Sequence, residues 1–241
     1  MKAVILAAGY ATRLYPLTLD RPKHLLEVGG RLLLERLLEQ LPMAEFDAIY
    51  VATNAKFAPR FREWAASYTA EVVVIDDGTS TEDDRLGAIG DLQLVIESER
   101  LDDDLVVAAG DSLFSERLHG FVEAARERDA VLIAVYDVGD LEAMRRLSAV
   151  AVDADGRVTA FEEKPEQPSS TLAGIALYFL PGRVLPLVAE YLAEGNNPDQ
   201  PGRLVGWLYQ RTPVYAWRVP GRWFDIGTAE TLAEAESLFG S

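Results

Sequence analysis

The first residues that could do chemistry lie in the run Leu6-Ala7-Ala8-Gly9-Tyr10-Ala11-Thr12-Arg13, with Arg21-Pro22-Lys23 behind it. Gly9 lets the backbone approach a ligand closely, and the N–H groups of such a turn can bind phosphate oxygens. Arg13 and Lys23 add fixed positive charge to an otherwise acidic chain. The GxxxxGK and GxGxxG spacings are both absent, so this is neither a P-loop nor a dinucleotide fingerprint. Read alone, a Gly-Arg-Lys loop is most simply structural or solvated. A second group is Ala109-Gly110-Asp111-Ser112. A carboxylate after a glycine at a strand end is placed to hold a divalent cation, and Mg²⁺ takes one or two carboxylates together with substrate phosphates and waters. A Gly-Asp pair by itself is also a common turn. Asp225 stands between bulky apolar neighbours in Trp223-Phe224-Asp225-Ile226-Gly227-Thr228, an unusual setting for a solvated charge. Phe161-Glu162-Glu163-Lys164-Pro165 reads by itself as an exposed strand end of mixed charge.

These residues need strand ends and loops to hold them. Near-continuous apolar runs predict strands at Ala3–Ala8, Ala48–Thr53, Glu71–Ile75, Leu105–Ala109 and Ala130–Tyr136. Amphipathic segments predict helices at Arg31–Leu41, Phe57–Tyr68, Gly87–Glu99 and Glu116–Arg128. The β-α-β-α order predicts an α/β, Rossmann-like fold: a mostly parallel, mixed sheet with helices on both faces. In such a sheet a ligand sits where the first strand ends, here at Gly9. After Asp137 the rhythm changes to strands at Ala149–Val152, Val158–Glu162, Leu172–Leu180 and Val214–Val219. Helices follow at Arg183–Ala193 and Thr228–Phe239, the last capped by Thr228. Leu14–Leu25, Asp76–Leu86 and Gly195–Arg203 read as loops long enough to be functional or mobile. No composition break looks like a linker. One domain over 1–241 is expected, with an α/β first half (1–136) and a more mixed second half (137–241).

The 39 acidic against 23 basic side chains leave a net charge of −16, which repels a polyanion and argues against nucleic acid as partner. No apolar run reaches a membrane span, and Met1–Leu6 reads as a buried strand rather than a signal peptide. The absence of cysteine rules out disulfides and thiolate metal sites and fits the cytoplasm. His24 and His119 are far apart in sequence and read as structural, not as zinc ligands.

The first run, with Pro16, Thr18 and Pro22-Lys23, resembles the signature of the sugar-phosphate nucleotidyltransferases, G-x-G-T-R-x-x-P-x-T followed by P-K. The resemblance extends through Gly110-Asp111, Glu163-Lys164-Pro165 and Trp223 to Thr228, in family order, over most of the chain. It implies a single domain of the nucleotide-diphospho-sugar transferase type, its first half binding nucleotide and its second half sugar phosphate. Leu6, Ala8, Gly9, Thr12 and Arg13 then bind nucleotide, with Arg13 and Lys23 on its phosphates. Asp111 and Asp225 become the Mg²⁺ ligands. Glu163 takes the sugar hydroxyls and Lys164 the sugar phosphate, with Gly110 and Gly174 lining the substrate. Gly87 and Glu82 stand where the family reads its base. The family's second glycine is Ala11 here, and a methyl group at that point calls for a negative φ. Ala173 replaces an asparagine common among relatives.

The implied reaction is Mg²⁺-dependent transfer of a nucleoside monophosphate from a nucleoside triphosphate to a sugar 1-phosphate, with pyrophosphate released. The sugar phosphate is already a nucleophile, so positioning and charge neutralisation carry the chemistry. A Glu82 facing the base accepts but does not donate, which favours CTP or GTP over UTP and dTTP. Three other readings stay open: a cytidylyltransferase for choline or inositol phosphate, a non-catalytic subunit binding nucleotide sugars, and a glycosyltransferase. The last generally shows Asp-x-Asp at the strand end, whereas Asp111-Ser112-Leu113 has no second acid. Homo-oligomerisation is compatible with all of them.

Overall fold

The computed structural model describes residues 1–240. In chain order its strands are β1 (Lys2–Leu6), β2 (Glu27–Val28), β3 (Arg31–Leu32), β4 (Ala48–Thr53), β5 (Val72–Asp76), β6 (Leu105–Ala109), β7 (Ser112–Phe114), β8 (Val131–Asp137), β9 (Ser148–Val152), β10 (Val158–Glu163), β11 (Leu172–Leu180), β12 (Val214–Arg218) and β13 (Trp223–Asp225). Its helices are α1 (Leu33–Gln40), α2 (Ala58–Ser67), α3 (Ala88–Ser98), α4 (His119–Arg128), α5 (Leu141–Met144), α6 (Pro186–Ala193), α7 (Pro201–Leu208) and α8 (Ala229–Phe239). Among the described residues no helix is long and apolar enough to cross a membrane. Backbone contacts divide the chain into two compact groups. One holds Met1–Leu86, Ala108–His119 and the chain from Pro220 on; the other holds Gly87–Val107 and Gly120–Val219. The grouping crosses the expected line between residues 136 and 137.

In the first group β1, β4 and β5 run parallel, Lys2 opposite Ala48 and Ile49 opposite Val72. Val4, Ile5 and Val51 are fully buried, as the near-continuous apolar pattern of these strands requires. α1 buries Leu33, Leu34, Leu37 and Leu38 completely. It starts two residues later than the amphipathic pattern predicts, because Arg31 and Leu32 pair with Val28 and Glu27 in a hairpin. The turn is Gly29-Gly30, both at positive φ, the backbone such a two-residue connection demands.

A second antiparallel pair, β7 with β13, sets Leu113 opposite Phe224 and Ser112 opposite Asp225. Leu113 and Phe224 join Val28, Leu33, Ile226 and Ala235 in one apolar cluster. Strand alternation then turns Asp225 away from that cluster, and it is exposed. α8 begins where the sequence places it. Thr231 N donates to Thr228 Oγ1 at 3.3 Å, while Thr231 Oγ1 accepts from Thr228 N at 3.1 Å, a reciprocal cap.

In the second group β8 pairs antiparallel with β11 and parallel with β12, and β9 pairs antiparallel with both β10 and β11. α7 packs on β10 and β11. The first three of the eight residues of α7 lie in what reads in sequence as the loop Gly195–Arg203. Pro201 begins it, a position where the missing N–H costs nothing. α4 likewise starts at His119 rather than Glu116.

Loss of the α8 cap should be measurable. Thr228→Ala is expected to lower stability by about 1 kcal/mol, or about 2–4 °C in melting temperature for a chain of this size. Thermal unfolding followed by circular dichroism reads it, and an unchanged midpoint would show that the cap contributes nothing.

Candidate active site

The loop leaving β1 is tied to the end of β4. Ala7 N donates to Ala52 O at 2.8 Å, Thr53 Oγ1 donates to Ala7 O at 3.3 Å, and Asn54 Nδ2 donates to Ala8 O at 2.7 Å. Asn54 is itself fully buried, so the carbonyls of the loop are tied inward. Gly9 is exposed, and the space a Cβ would take there is open.

Ala11 corrects the expectation of a negative φ. It sits at φ 51°, ψ 43°, in the left-handed region. Its carbonyl accepts from Leu14 N at 3.0 Å and from the buried Thr18 hydroxyl at 2.8 Å. Those two bonds hold a conformation that costs an L-residue roughly 1–2 kcal/mol. The Thr12–Leu14 turn that follows leaves Arg13 exposed, with no acidic partner among the described residues.

Lys23 opens a second short turn, Lys23–Leu25, behind Pro22. Its Nζ lies 2.5 Å from Asp111 Oδ2, with 12% of the lysine side chain and 24% of the aspartate side chain exposed. Burial pushes the Asp111 carboxyl up, but the Lys23 ammonium beside it prevails and holds it below the usual carboxylate range. His24 is buried next to the pair, its pKa pushed down to about 3 by burial first and then by Lys23. Its Nδ1 has no hydrogen-bond partner, and its ring faces Phe61 at 6.0 Å. The imidazole is therefore a neutral packing group, as the sequence suggests.

Gly110 places Asp111. Its N–H donates to Leu6 O at 2.9 Å, and a Cβ on it would stand 2.8 Å from His24 Cδ2 and 3.1 Å from Ile5 Cγ2. Only glycine lets the chain pass this close to the end of β1. Asp225 reaches the same place along β13, where Ile226 N donates to Asp111 O at 3.1 Å. Two carboxylates on bonded backbones, one already facing an ammonium, are a donor set that a divalent cation fits. Among the described residues no three His, Cys, Asp or Glu side chains form a group that could hold a metal ion by themselves.

Glu82, expected at the base, is half exposed and paired with Arg85 Nη1 at 3.1 Å. Gly87 belongs to the second group. It starts α3 at φ 81°, where a Cβ would meet the Pro198 carbonyl at 2.7 Å.

Within the second group, Glu163 and Gly174 come to one place through a residue the sequence reading missed. Ser148 lies opposite Glu163 on β10 and opposite Gly174 on β11. Its hydroxyl donates a short hydrogen bond to Glu163 Oε2. Gly174 carries no side chain because Phe161 covers it, 2.9 Å from where a Cβ would be. Lys164 is exposed and takes φ 49°, its N–H on Leu147 O at 2.9 Å. Burial, and then the Glu163 charge, raise the pKa of the nearby Tyr178 hydroxyl. The alternation of β9 was the signal available for Ser148, a polar residue at a core-facing position.

A family model described as nucleotidyl transferase matches residues 2–240. The UTP–glucose-1-phosphate uridylyltransferase of Synechocystis is 30% identical over 94% of this chain, which spans 60% of that relative's length. The glucose-1-phosphate thymidylyltransferase of Mycolicibacterium smegmatis is also 30% identical, over 99% of this chain and 82% of its own length. Among solved structures, a UDP-glucose pyrophosphorylase in complex with UDP-glucose superimposes with a TM-score of 0.84 at 20% identity, over 99% of this chain and 97% of that one. The fold is thus the mixed, mostly parallel α/β fold expected.

Two measurements follow from the geometry. Ala11→Gly relieves the left-handed strain but frees the unfolded chain, and should stabilise the protein by about 0.5–1 kcal/mol net; a lower denaturation midpoint would contradict it. His24 is the second. Its pKa is about 3 in the fold against 6.5 free, so between those values the unfolded chain binds the extra proton and stability falls as pH falls. By pH 5 the loss is about 2 kcal/mol, and His24→Leu should not show it. Denaturant unfolding of both proteins near pH 7.5 and 5 reads the difference; equal losses would exclude a neutral His24.

Proposed function

Since the chain belongs to the nucleotidyl transferase family, we propose that it joins a nucleoside triphosphate to a sugar 1-phosphate with the help of Mg²⁺, forming a nucleoside diphosphate sugar and pyrophosphate. The observation that carries this reading is the Lys23–Asp111 contact at 2.5 Å, with Asp225 one backbone hydrogen bond away. A cation is already favoured at Asp111, and an ammonium stands within reach of any anion that arrives. The two relatives are named for glucose 1-phosphate, which favours a sugar over a phospho-alcohol acceptor. Arg13, Lys23, Asp111 and Asp225 are all retained, which disfavours a binding subunit without activity.

In this reading a sugar phosphate oxygen bonds to the α-phosphorus as the bond from that phosphorus to the β-phosphate oxygen breaks, and the electron pair leaves with pyrophosphate. No general base is needed, because the nucleophile is already an anion. Asp111 and Asp225 would hold Mg²⁺, which would supply positive charge to the reacting phosphates. The loop from Ala8 to Thr12 presents backbone to the triphosphate, and Arg13 adds its charge there. Lys23 exchanges its carboxylate partner for a phosphate oxygen and neutralises the leaving group, a contribution of roughly 3–4 kcal/mol for a well-placed donor. Glu163 and Lys164 hold the sugar hydroxyls and the sugar phosphate. Two relatives are named for uridylyl and thymidylyl transfer, so UTP and dTTP are tested beside the CTP and GTP that a Glu82 facing the base would favour.

Asp111→Asn and Asp225→Asn should each slow pyrophosphate release at saturating Mg²⁺ by at least about tenfold, with circular dichroism unchanged. A folded variant of either kind that kept most of the wild-type rate would overturn the shared metal site.

A further inference from the structure

Glu163 has two carboxylate oxygens, and the second group of the chain has already used one. The Ser148 hydroxyl donates to Oε2. The first turn of α7 closes over the same oxygen: a Cβ on Gly202 would collide with Glu163 Oε2 and stand 2.7 Å from Ser148 Oγ. Ser148 is buried, at 8% exposure, and cross-strand register fixes it opposite Glu163. Oε1 has no hydrogen-bond partner among the described residues. A free carboxylate can grip two neighbouring hydroxyls, one on each oxygen. Here Oε2 is bonded to Ser148 and closed over by α7, so Oε1 is the oxygen left open to a ligand.

We propose that Ser148 is a specificity-determining residue for the sugar: by bonding to Oε2, under the cover of α7, it leaves Glu163 to accept through Oε1 alone, so that a vicinal pair is not gripped with one hydroxyl on each oxygen. The inference rests on the reading of Glu163 as the sugar-hydroxyl acceptor. It explains why a hydroxyl stands at a core-facing strand position, where an apolar residue would pack without a polar group to satisfy. It also gives Gly202 a reason, because any side chain there would displace the carboxylate from Ser148. A sugar epimeric or deoxygenated at the second carbon of such a pair is tolerated as a consequence. A site that hydrogen-bonds a hydroxyl through a charged group discriminates strongly against its loss, and a site with no partner for that hydroxyl does not.

The test uses the full chain, whichever sugar 1-phosphate releases pyrophosphate fastest, and its singly deoxygenated analogues. In the wild type, loss of one hydroxyl lowers kcat/KM by about tenfold or more through Glu163, while loss of its neighbours costs about threefold or less. In Ser148→Ala an adjacent hydroxyl becomes needed, its loss now costing about tenfold. Ser148→Thr keeps the donor and is expected to keep the wild-type profile, which separates the hydroxyl from mere packing. Glu163→Ala flattens the profile. A Ser148→Ala profile identical to wild type, with Glu163→Ala altered, overturns the role of Ser148 alone. If Glu163→Ala also leaves the profile unchanged, or no sugar 1-phosphate turns over, the reading of Glu163 fails and this inference with it.

Discussion

Lys23 and Asp111 meet with most of both side chains withdrawn from water. Desolvating two charges costs several kcal/mol, and their attraction returns it only while the geometry is held. Much of the first group holds it. Pro22 sets the turn that starts at Lys23, and His24 and Ile5 leave room for glycine alone at position 110, so Asp111 has one place to go. The β7–β13 pair then delivers Asp225 by anchoring its neighbour Phe224 in the cluster with Leu113, Leu33 and Ala235. The apolar residues around the site fix carboxylates that would otherwise repel each other.

The same economy of position shows in the backbone. Two of the four non-glycine residues at positive φ among the described residues, Ala11 and Lys164, lie in the two segments proposed to bind phosphate. Left-handed backbone persists where surrounding bonds over-determine it, and functional sites are where such strain collects. At Ala11 the bonds come from Leu14 and Thr18; at Lys164 one comes from Leu147.

Much of this was legible in the sequence, for a physical reason. β1, β4, β6 and β8 announce themselves because buried strands leave little choice but apolar residues, and Gly110 with Asp111 follows directly from β6. What stayed hidden depends on partners distant in the chain. Ala11 takes the left-handed conformation because Thr18 reaches back to it, and no local propensity reveals that bond. Glu82 turns to Arg85 on the surface, a choice between solvent and ligand that spacing does not encode. β7 and β13 are three residues each, too short for periodicity, and they exist because they pair. Pro201 falls in what reads as the loop Gly195–Arg203, although proline at the first helical position marks the start of α7.

The segmented make-up of the first group has a consequence for how the chain matures. Its last segment, from Pro220 on, follows the hundred residues Gly120–Val219 that belong to the other group. At ribosomal speeds those residues take about 5–20 s to synthesise. Throughout that interval β1, Lys23 and Asp111 have been made while Asp225, β13 and α8 have not. Leu113 and Leu33 therefore wait with part of their apolar cluster missing. The pair proposed to hold the metal is complete only once β13 has been made, so a chain cut before Asp225 lacks half of it.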